Sequence, residues 1–429
     1  AIQEFLLKTS ILDRLAGPLC DAVLDIDDPA ADGQQPSVIS QPVVAPFPDS
    51  QSTLEHLDSA NLFIVPLDDD RGWYRYHRLF GDLLRKRLGR TYPEIVPALH
   101  WRASQWLEEQ GLLAAAIRHA LVADDQERAA DLVEEVAEAT LMRSEVATLL
   151  GWVEKLPDEY VCTRPALCLY HAWAMFLDGR PWSEVESRLG DAISSGDARL
   201  TPDWTAALRA YVDIYDGRAS KATERSRRAL AQIPEEATLL RSLATWTLAT
   251  SYLADGDDAT GLQLFRELAR ESREAGNPLI ATMVTCNLAE LAMREGKLRE
   301  AQTLYQEALD LATDARGQRM PIAGQALIGL GELAREWNDL EIAEHCYVEG
   351  IELTRQWGRI SAMDGYMGLA RLRQIYGDEA GADAAMHEAR ALAVEFDATE
   401  IDDWIVDMAQ AQLWSIRAVA APRRVDAIE

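Results

Sequence analysis

The sequence predicts an all-α fold: a right-handed superhelical solenoid of helix pairs, preceded by a small helical domain with a short β wing. Three observations lead there. Six segments between about residues 160 and 400 repeat one pattern of apolar helix, short turn and second apolar helix. From Pro93 onward no stretch alternates as a strand does. Ahead of Pro93, a helix, an apolar run of strand length, an acidic turn, an alternating run and another helix follow in that order.

Taken from the start, Phe5, Leu6, Leu7, Ile11, Leu12 and Leu15 are helix-spaced, and Gly17-Pro18 reads as a break before Leu19 to Leu24 resume. Residues from about 25 to 53 hold Pro29, Pro36, Pro42, Pro46 and Pro48 with few large apolar side chains, which marks a long loop or insertion. Leu54 to Leu57 form a short helix, Leu62 to Leu67 a strand, Asp68 to Gly72 an acidic turn, and Trp73 to Tyr76 a second strand. The helix from about His77 to Gly89 carries Leu79, Phe80, Leu83 and Leu84 on one face and Arg85, Lys86, Arg87 and Arg90 at its C-terminal end, where cations suit the helix dipole. Helix, strand, turn, strand, helix is the order of a winged-helix domain, here 1–92. Residues 93–160, with Trp101, Trp106, Ile117 and Leu132, are helical but fit the repeat poorly and read as an arm or cap. Residues 161–429 form the array.

Its register is set by small residues. Gly179, Gly217, Gly256, Gly296 and Gly377 open the turns, with Asn338 in the remaining copy. Seven residues before each turn stand Ala172, Ala210, Ala249, Ala289, Gly331 and Ala370, at steps of 38, 39, 40, 42 and 39 residues. A second small position recurs at Ala222, Gly261, Ala301, Ala343 and Ala382, and a third at Ala229, Ala308, Gly350 and Ala389. Small residues on facing helices let the helices approach closely, and each pair buries its face only by stacking on the next. This is the architecture of tetratricopeptide-like (TPR-like) repeats, whose purpose is binding.

Composition excludes several functions. The net charge of −29, from 71 acidic and 42 basic residues, rules out a general field for nucleic acid or anionic membrane, so Arg85 to Arg90 read as a solvated helix end. No apolar run reaches the roughly 18 residues of a spanning helix, and no secretory leader is visible. Cys20, Cys162, Cys168, Cys286 and Cys346 are scattered without metal-type spacing and read as reduced thiols of a cytoplasmic protein. No H-E-x-x-H, nucleophile elbow or G-x-x-x-x-G-K-[ST] loop occurs; Gly296-Lys297 falls in a repeat turn, and the adjacent pairs Glu134-Glu135 and Asp402-Asp403 point in different directions on a helix. No enzyme, metal or cofactor site is expected within this stretch.

The run WYRYHRLFGDLLR at 73–85 resembles the large LuxR-type, ATP-dependent transcription activators of the MalT-like family, a branch of the signal-transduction ATPases with numerous domains. FLLKTSILDRL at 5–15, SANLFIVPLDDD at 59–70, AIRHALVADDQERAADLVE at 116–134 and LLGWVEKLPDE at 149–159 follow in the same order and strengthen it. The resemblance implies an ATPase module before this stretch, a DNA-binding helix-turn-helix after it, ATP or ADP as cofactor of the intact protein, and oligomerisation on activation. It also implies a role for His77, which occupies the position of a histidine that reaches the β-phosphate of bound ADP in related ATPases. The residues here correspond to the middle of such a protein: winged helix, arm and sensor.

For the array, the expected effector site is the concave surface lined by first helices. Trp173, Tyr211 and Trp246 fall there, with Trp204, as aromatic stacking candidates. The repeat register adds Met283, Asn287, Glu290 and Arg294, then Glu332 and Arg335, then Met367 and Arg371. Their mixed charge suits a polar small-molecule inducer, or a protein or peptide effector carrying both signs. A closed pocket favours the first and an open channel the second.

Overall fold

The structure is a computed structural model and describes residues 2–24, 49–194, 206–215, 217–235, 237–358 and 361–395. Most of the proline-rich insertion, Trp204, the Asp402-Asp403 pair and the end of the array lie outside the described residues, as does the side chain of Tyr211. The chain divides into two compact units, residues 1–136 with 154–160, and residues 137–153 with 161–429.

In the first unit, α1 (Ile2–Thr9), α2 (Gly17–Leu24) and α3 (Ser50–Ser59) precede β1 (Ile64–Pro66) and β2 (Tyr74–Tyr76), and α4 (Arg78–Thr91) follows. The strands pair antiparallel with Ile64 opposite Tyr76 and Pro66 opposite Tyr74. Their turn is organised by Asp68, whose carboxylate accepts from the N–H groups of Gly72 and Trp73 at 2.8 and 3.1 Å. Tyr74 also bridges to Leu15 through two backbone hydrogen bonds of 2.8 Å, so the wing is sewn to the first segment of the chain. Gly17-Pro18 opens α2 where the sequence suggested a break, because proline has no N–H to lose in a first turn; the interruption lies between Thr9 and Gly17. Next come α5 (Val96–Glu109), α6 (Leu113–Val122) and α7 (Gln126–Met142), whose last turns pass into the second unit.

The second unit continues with α8 (Val146–Val153), and α9 (Asp158–Cys162) leads into the array. Six helix pairs then follow: α10 (Pro165–Asp178) with α11 (Trp182–Ser194), α12 (Ala206–Tyr215) with α13 (Ala219–Gln232), α14 (Thr238–Ala254) with α15 (Asp258–Glu274), α16 (Pro278–Arg294) with α17 (Leu298–Leu311), α18 (Ala323–Glu336) with α19 (Leu340–Thr354), and α20 (Ala362–Ile375) with α21 (Glu379–Glu395). The fold is an all-α solenoid apart from the two-stranded wing.

The turn residues do what the spacing suggested. Gly179, Gly217, Gly256, Gly296 and Gly377 have φ between 70° and 84°, and Asn338 has φ 61°. Left-handed backbone ends each first helix, and Asn is the non-glycine residue that tolerates it best. The small positions are equally literal: Ala172, Ala210, Ala249, Ala289 and Ala370 are fully buried. A Cβ on Gly331 would stand 2.9 Å from the Tyr347 ring, and one on Gly329 2.2 Å from the Tyr305 ring. Tyrosines from second helices thus fill the space that glycines on first helices leave.

One feature did not show in the repeat pattern. The fifth helix pair meets the segment that leads into the array and the first array helix. The N–H of Ile322 donates to Ser144 Oγ at 3.0 Å, and the N–H of Ala147 donates to the Gln356 carbonyl at 3.2 Å. A Cβ on Gly358 would lie 3.0 Å from the Leu177 carbonyl oxygen. Ser144 is fully buried with φ 57°, a left-handed serine held at a seam between segments 178 residues apart.

Candidate functional site

The candidate residues on the first helices separate into buried aromatic and thioether side chains and a group of polar ones. Trp173 is 2% exposed and packs edge-on against Phe176, with ring centroids 5.9 Å apart. Met283 is 5% exposed, and Met367 at 3% belongs to an apolar cluster with Met363 and Met386. These three were expected to face a ligand; the structure places them in the core, because neighbouring helices close over those rows. Tyr211 lies on α12, its side chain outside the described residues.

Trp246, Asn287 and Glu290 do come together. The Trp246 indole N–H donates to Asn287 Oδ1 at 2.8 Å. With its oxygen so occupied, the Asn287 amide presents its NH2 toward Glu290, to which it hydrogen-bonds. Glu290 is mostly buried, and burial pushes its carboxyl up from 4.5 to about 7. The Asp364 carboxylate adds to this rise, while Arg294 and Asn287 oppose it. Arg294 itself is exposed at the C-terminal end of α16.

On the next helices, Arg335 grips one carboxylate oxygen of Glu332 from Nε and Nη2 at 3.1 and 3.0 Å, and Arg371 Nη1 reaches the same oxygen at 3.3 Å. The other Glu332 oxygen passes so close to Gly368 that a Cβ there would stand 2.9 Å from it. Arg371 Nε is buried without an acceptor. Arg335 Nη2 also pairs with Glu336, so two carboxylates serve the two guanidiniums.

Asp364 was missed by sequence reasoning. It sits six residues before Ala370, the register position that Met283 holds before Ala289, so the rule that selected Met283 also pointed to Asp364. Another missed residue is Asp213, fully buried near the end of α12 and ion-paired to Arg225, Arg218 and Lys221 at 2.6, 2.7 and 3.4 Å. It fastens the turn into α13.

His77 stands at the N-cap of α4. Its N–H donates to the Phe63 carbonyl at 2.7 Å and its carbonyl accepts from Gly81, yet its imidazole makes no capping bond and is exposed. Phe63, Leu79 and Leu83 beside it are 57%, 75% and 61% exposed.

A family profile described as the MalT winged helix domain matches residues 1–96, and one described as the MalT-like TPR region matches residues 204–427. The chain belongs to the MalT-like family. Relatives of this MalT-like chain include the serine/threonine-protein kinase PknK of Mycobacterium tuberculosis, 28% identical over 89% of this chain and 33% of that protein. The HTH-type transcriptional regulator MalT of Serratia proteamaculans is 27% identical over 80% of this chain and 38% of that protein. The chain thus spans about a third of the length of these relatives. Among solved structures, a signal-transduction ATPase with a tetratricopeptide-repeat sensor from Pyrococcus horikoshii covers 98% of this chain, and this chain 64% of it, at 14% identity and TM-score 0.46. The matched stretches are a MalT winged helix domain and a MalT-like TPR region. Among the described residues no helix is long and apolar enough to cross a membrane, no His, Cys, Asp and Glu group could hold a metal, and the five cysteines are free thiols.

Proposed function

We propose that this chain is the effector-sensing and signal-transducing region of an ATP-dependent LuxR-type regulator, and that its effector is a small-molecule inducer held inside the array. The observation that supports this reading is the seam at Ser144, Ala147 and Gly358, which brings the segment before the array and its first helix against the two ends of the fifth helix pair. A face enclosed this way, with an indole and a few convergent polar groups, suits a small molecule, whereas a peptide of many residues needs an open channel. Inducer changes the seam and the helix pairs around it, and a ligand biases two states only by its differential affinity for them. In the intact protein the exposed His77 imidazole, beside a helix N-terminus, touches the phosphates of ADP, and inducer releases that locked state so that the protein oligomerises. The exposed Phe63, Leu79 and Leu83 then lie under the ATPase module. DNA is reached only through a further domain. A relative named as a kinase favours a second reading of the output, in which the same sensor drives a catalytic module instead.

A thermal-shift screen of the chain against sugars, nucleotides, amino acids and signalling metabolites tests the small-molecule reading, with Trp246→Ala and Asn287→Ala as controls. A saturable rise that both substitutions abolish supports it by linkage. Capture of a defined peptide, with no metabolite active, would replace it with a TPR-type protein or peptide scaffold.

A further inference from the structure

The corner between α9 and α10 brings two cysteines under one cation. Cys162 ends α9, and Cys168 lies at the start of α10. The Val161 carbonyl, part of the peptide that joins Val161 to Cys162, accepts from the Arg164 N–H at 3.0 Å and from the Cys168 thiol at 3.2 Å. Standard peptide dimensions then hold the Cys168 sulfur within about 6 Å of the Cys162 Cα, a gap that rotation of the Cys162 side chain largely closes. From α11, Arg188 Nη1 donates to the Cys162 sulfur at 3.3 Å, and the same guanidinium hydrogen-bonds Cys168. Nη1 carries a second hydrogen, which serves the Asp191 carboxylate 3.4 Å away. The two thiols differ in environment. Cys162 is part-exposed, whereas Cys168 is buried, and burial pushes its thiol up to about 12 against the opposing pull of Arg188. Cys20, Cys286 and Cys346 are buried too, and burial raises each of them. A cation beside a part-exposed sulfur favours the thiolate, the form that reacts with peroxides.

We propose that Cys162 and Cys168 form an oxidation-sensitive dithiol, in which Cys162 reacts with hydrogen peroxide and Cys168 then closes a reversible disulfide; this stands apart from any ligand of the array. In the first step the Cys162 thiolate attacks one peroxide oxygen and the O–O bond breaks. The sulfur is oxidised to sulfenic acid, and the peroxide is reduced to hydroxide, which takes up the proton that Cys162 released. In the second step the Cys168 sulfur attacks the sulfenic sulfur and the S–O bond breaks, the displaced hydroxide leaving as water with the Cys168 proton. Two thiols and one hydrogen peroxide thus give one disulfide and two waters. Arg188 is a positioning residue, which favours the Cys162 thiolate and keeps its sulfur beside Cys168. The new bond staples the end of α9 to the start of α10, just past the point where the chain passes from the first compact unit into the second.

The test treats the whole 429-residue chain, reduced and then freed of reductant, with a small excess of hydrogen peroxide. Mass spectrometry follows the tryptic peptide that holds both cysteines, since Arg164 precedes a proline and is not cut. The expected product is that peptide lighter by two hydrogens and restored by dithiothreitol, with Cys20, Cys286 and Cys346 still open to alkylation after unfolding. Cys168→Ala leaves a Cys162 sulfenic acid that dimedone traps, and Cys162→Ser leaves Cys168 reduced. Arg188→Gln slows the first step about tenfold, the scale on which a neighbouring cation changes the thiolate population, whereas Arg188→Lys keeps the cation and most of the rate. Cys162 passing on to sulfinic acid while Cys168 stays reduced overturns the pairing. Disulfide-linked dimers through Cys162, in place of the internal bond, overturn it as well. Reaction at Cys162 no faster than at Cys346, or an Arg188→Gln rate equal to that of wild type, overturns the activation by Arg188.

Discussion

Glu290→Gln removes a titration from α16 while keeping the shape of the side chain. In the folded chain the carboxyl holds its proton up to about pH 7, against 4.5 for an ordinary glutamate. Ionising the buried carboxyl therefore costs about 2 kcal/mol more than ionising an ordinary glutamate, allowing for the solvent its side chain keeps. The sign follows from proton linkage. The folded state binds the proton more tightly than the unfolded state, so the contribution of this group is fully present below pH 4.5 and is lost as pH rises through about 7. Other titrating groups, including the facing Asp364 and Arg294 and the nearby Tyr305, are present in both proteins and largely cancel in the comparison. Urea unfolding of wild type and variant at pH 5 and pH 8 measures the difference. The variant should gain about 1–2 kcal/mol more relative to wild type at pH 8 than at pH 5, about one to two degrees in Tm. Parallel behaviour of the two proteins at both pH values would refute the buried-carboxyl argument.

Other outcomes follow from packing and charge elsewhere. Asp213→Ala strands three cations around an empty site and should cost about 3 kcal/mol in denaturant unfolding, with Asp213→Asn retaining part of that; an effect within error of zero contradicts its role as a fastener. Gly329→Val pushes a side chain into the Tyr305 ring and should lower stability by about 1–3 kcal/mol, with partial recovery in the double variant with Tyr305→Leu; simple additivity of the two changes would deny the contact. His100 and His119 face each other Nδ1 to Nδ1 at 2.8 Å, and burial pushes both down to about 4. Their neutral forms are favoured by folding, so this contribution is present above pH 6.5 and lost as pH falls toward 4. Acid titration followed by circular dichroism should therefore show a shallower loss in His119→Gln than in wild type.

The solenoid was legible in the sequence because its requirements are local. An αL turn tolerates only glycine or asparagine well, so Gly256 and Asn338 announce themselves. A close helix crossing tolerates only small side chains, so Ala249 and Ala289 do as well. The polar group was half legible, since repeat register carried Trp246, Asn287, Glu290, Glu332, Arg335 and Arg371 to one side. Register does not say which rows stay open, because that depends on the small rotation between pairs summed around the turn. That sum buries Trp173, Met283 and Met367 and brings Asp364 of α20 within electrostatic reach of Glu290, two pairs earlier. Nothing in the local pattern around Ser144 announces a partner at Ile322.

That seam changes the kind of object the array is. In an open stack of repeats each pair answers only to its neighbours, and a disturbance fades along the row. Joining segments 178 residues apart makes the row a loop, in which strain introduced at any pair has two routes and a common point of return. The return point is the short stretch from Ser144 to Ala147 with Leu177 of α10, so a change of curvature around the circuit arrives at a few neighbouring contacts near the array's origin. An array built this way sums over its repeats and reports at one short seam.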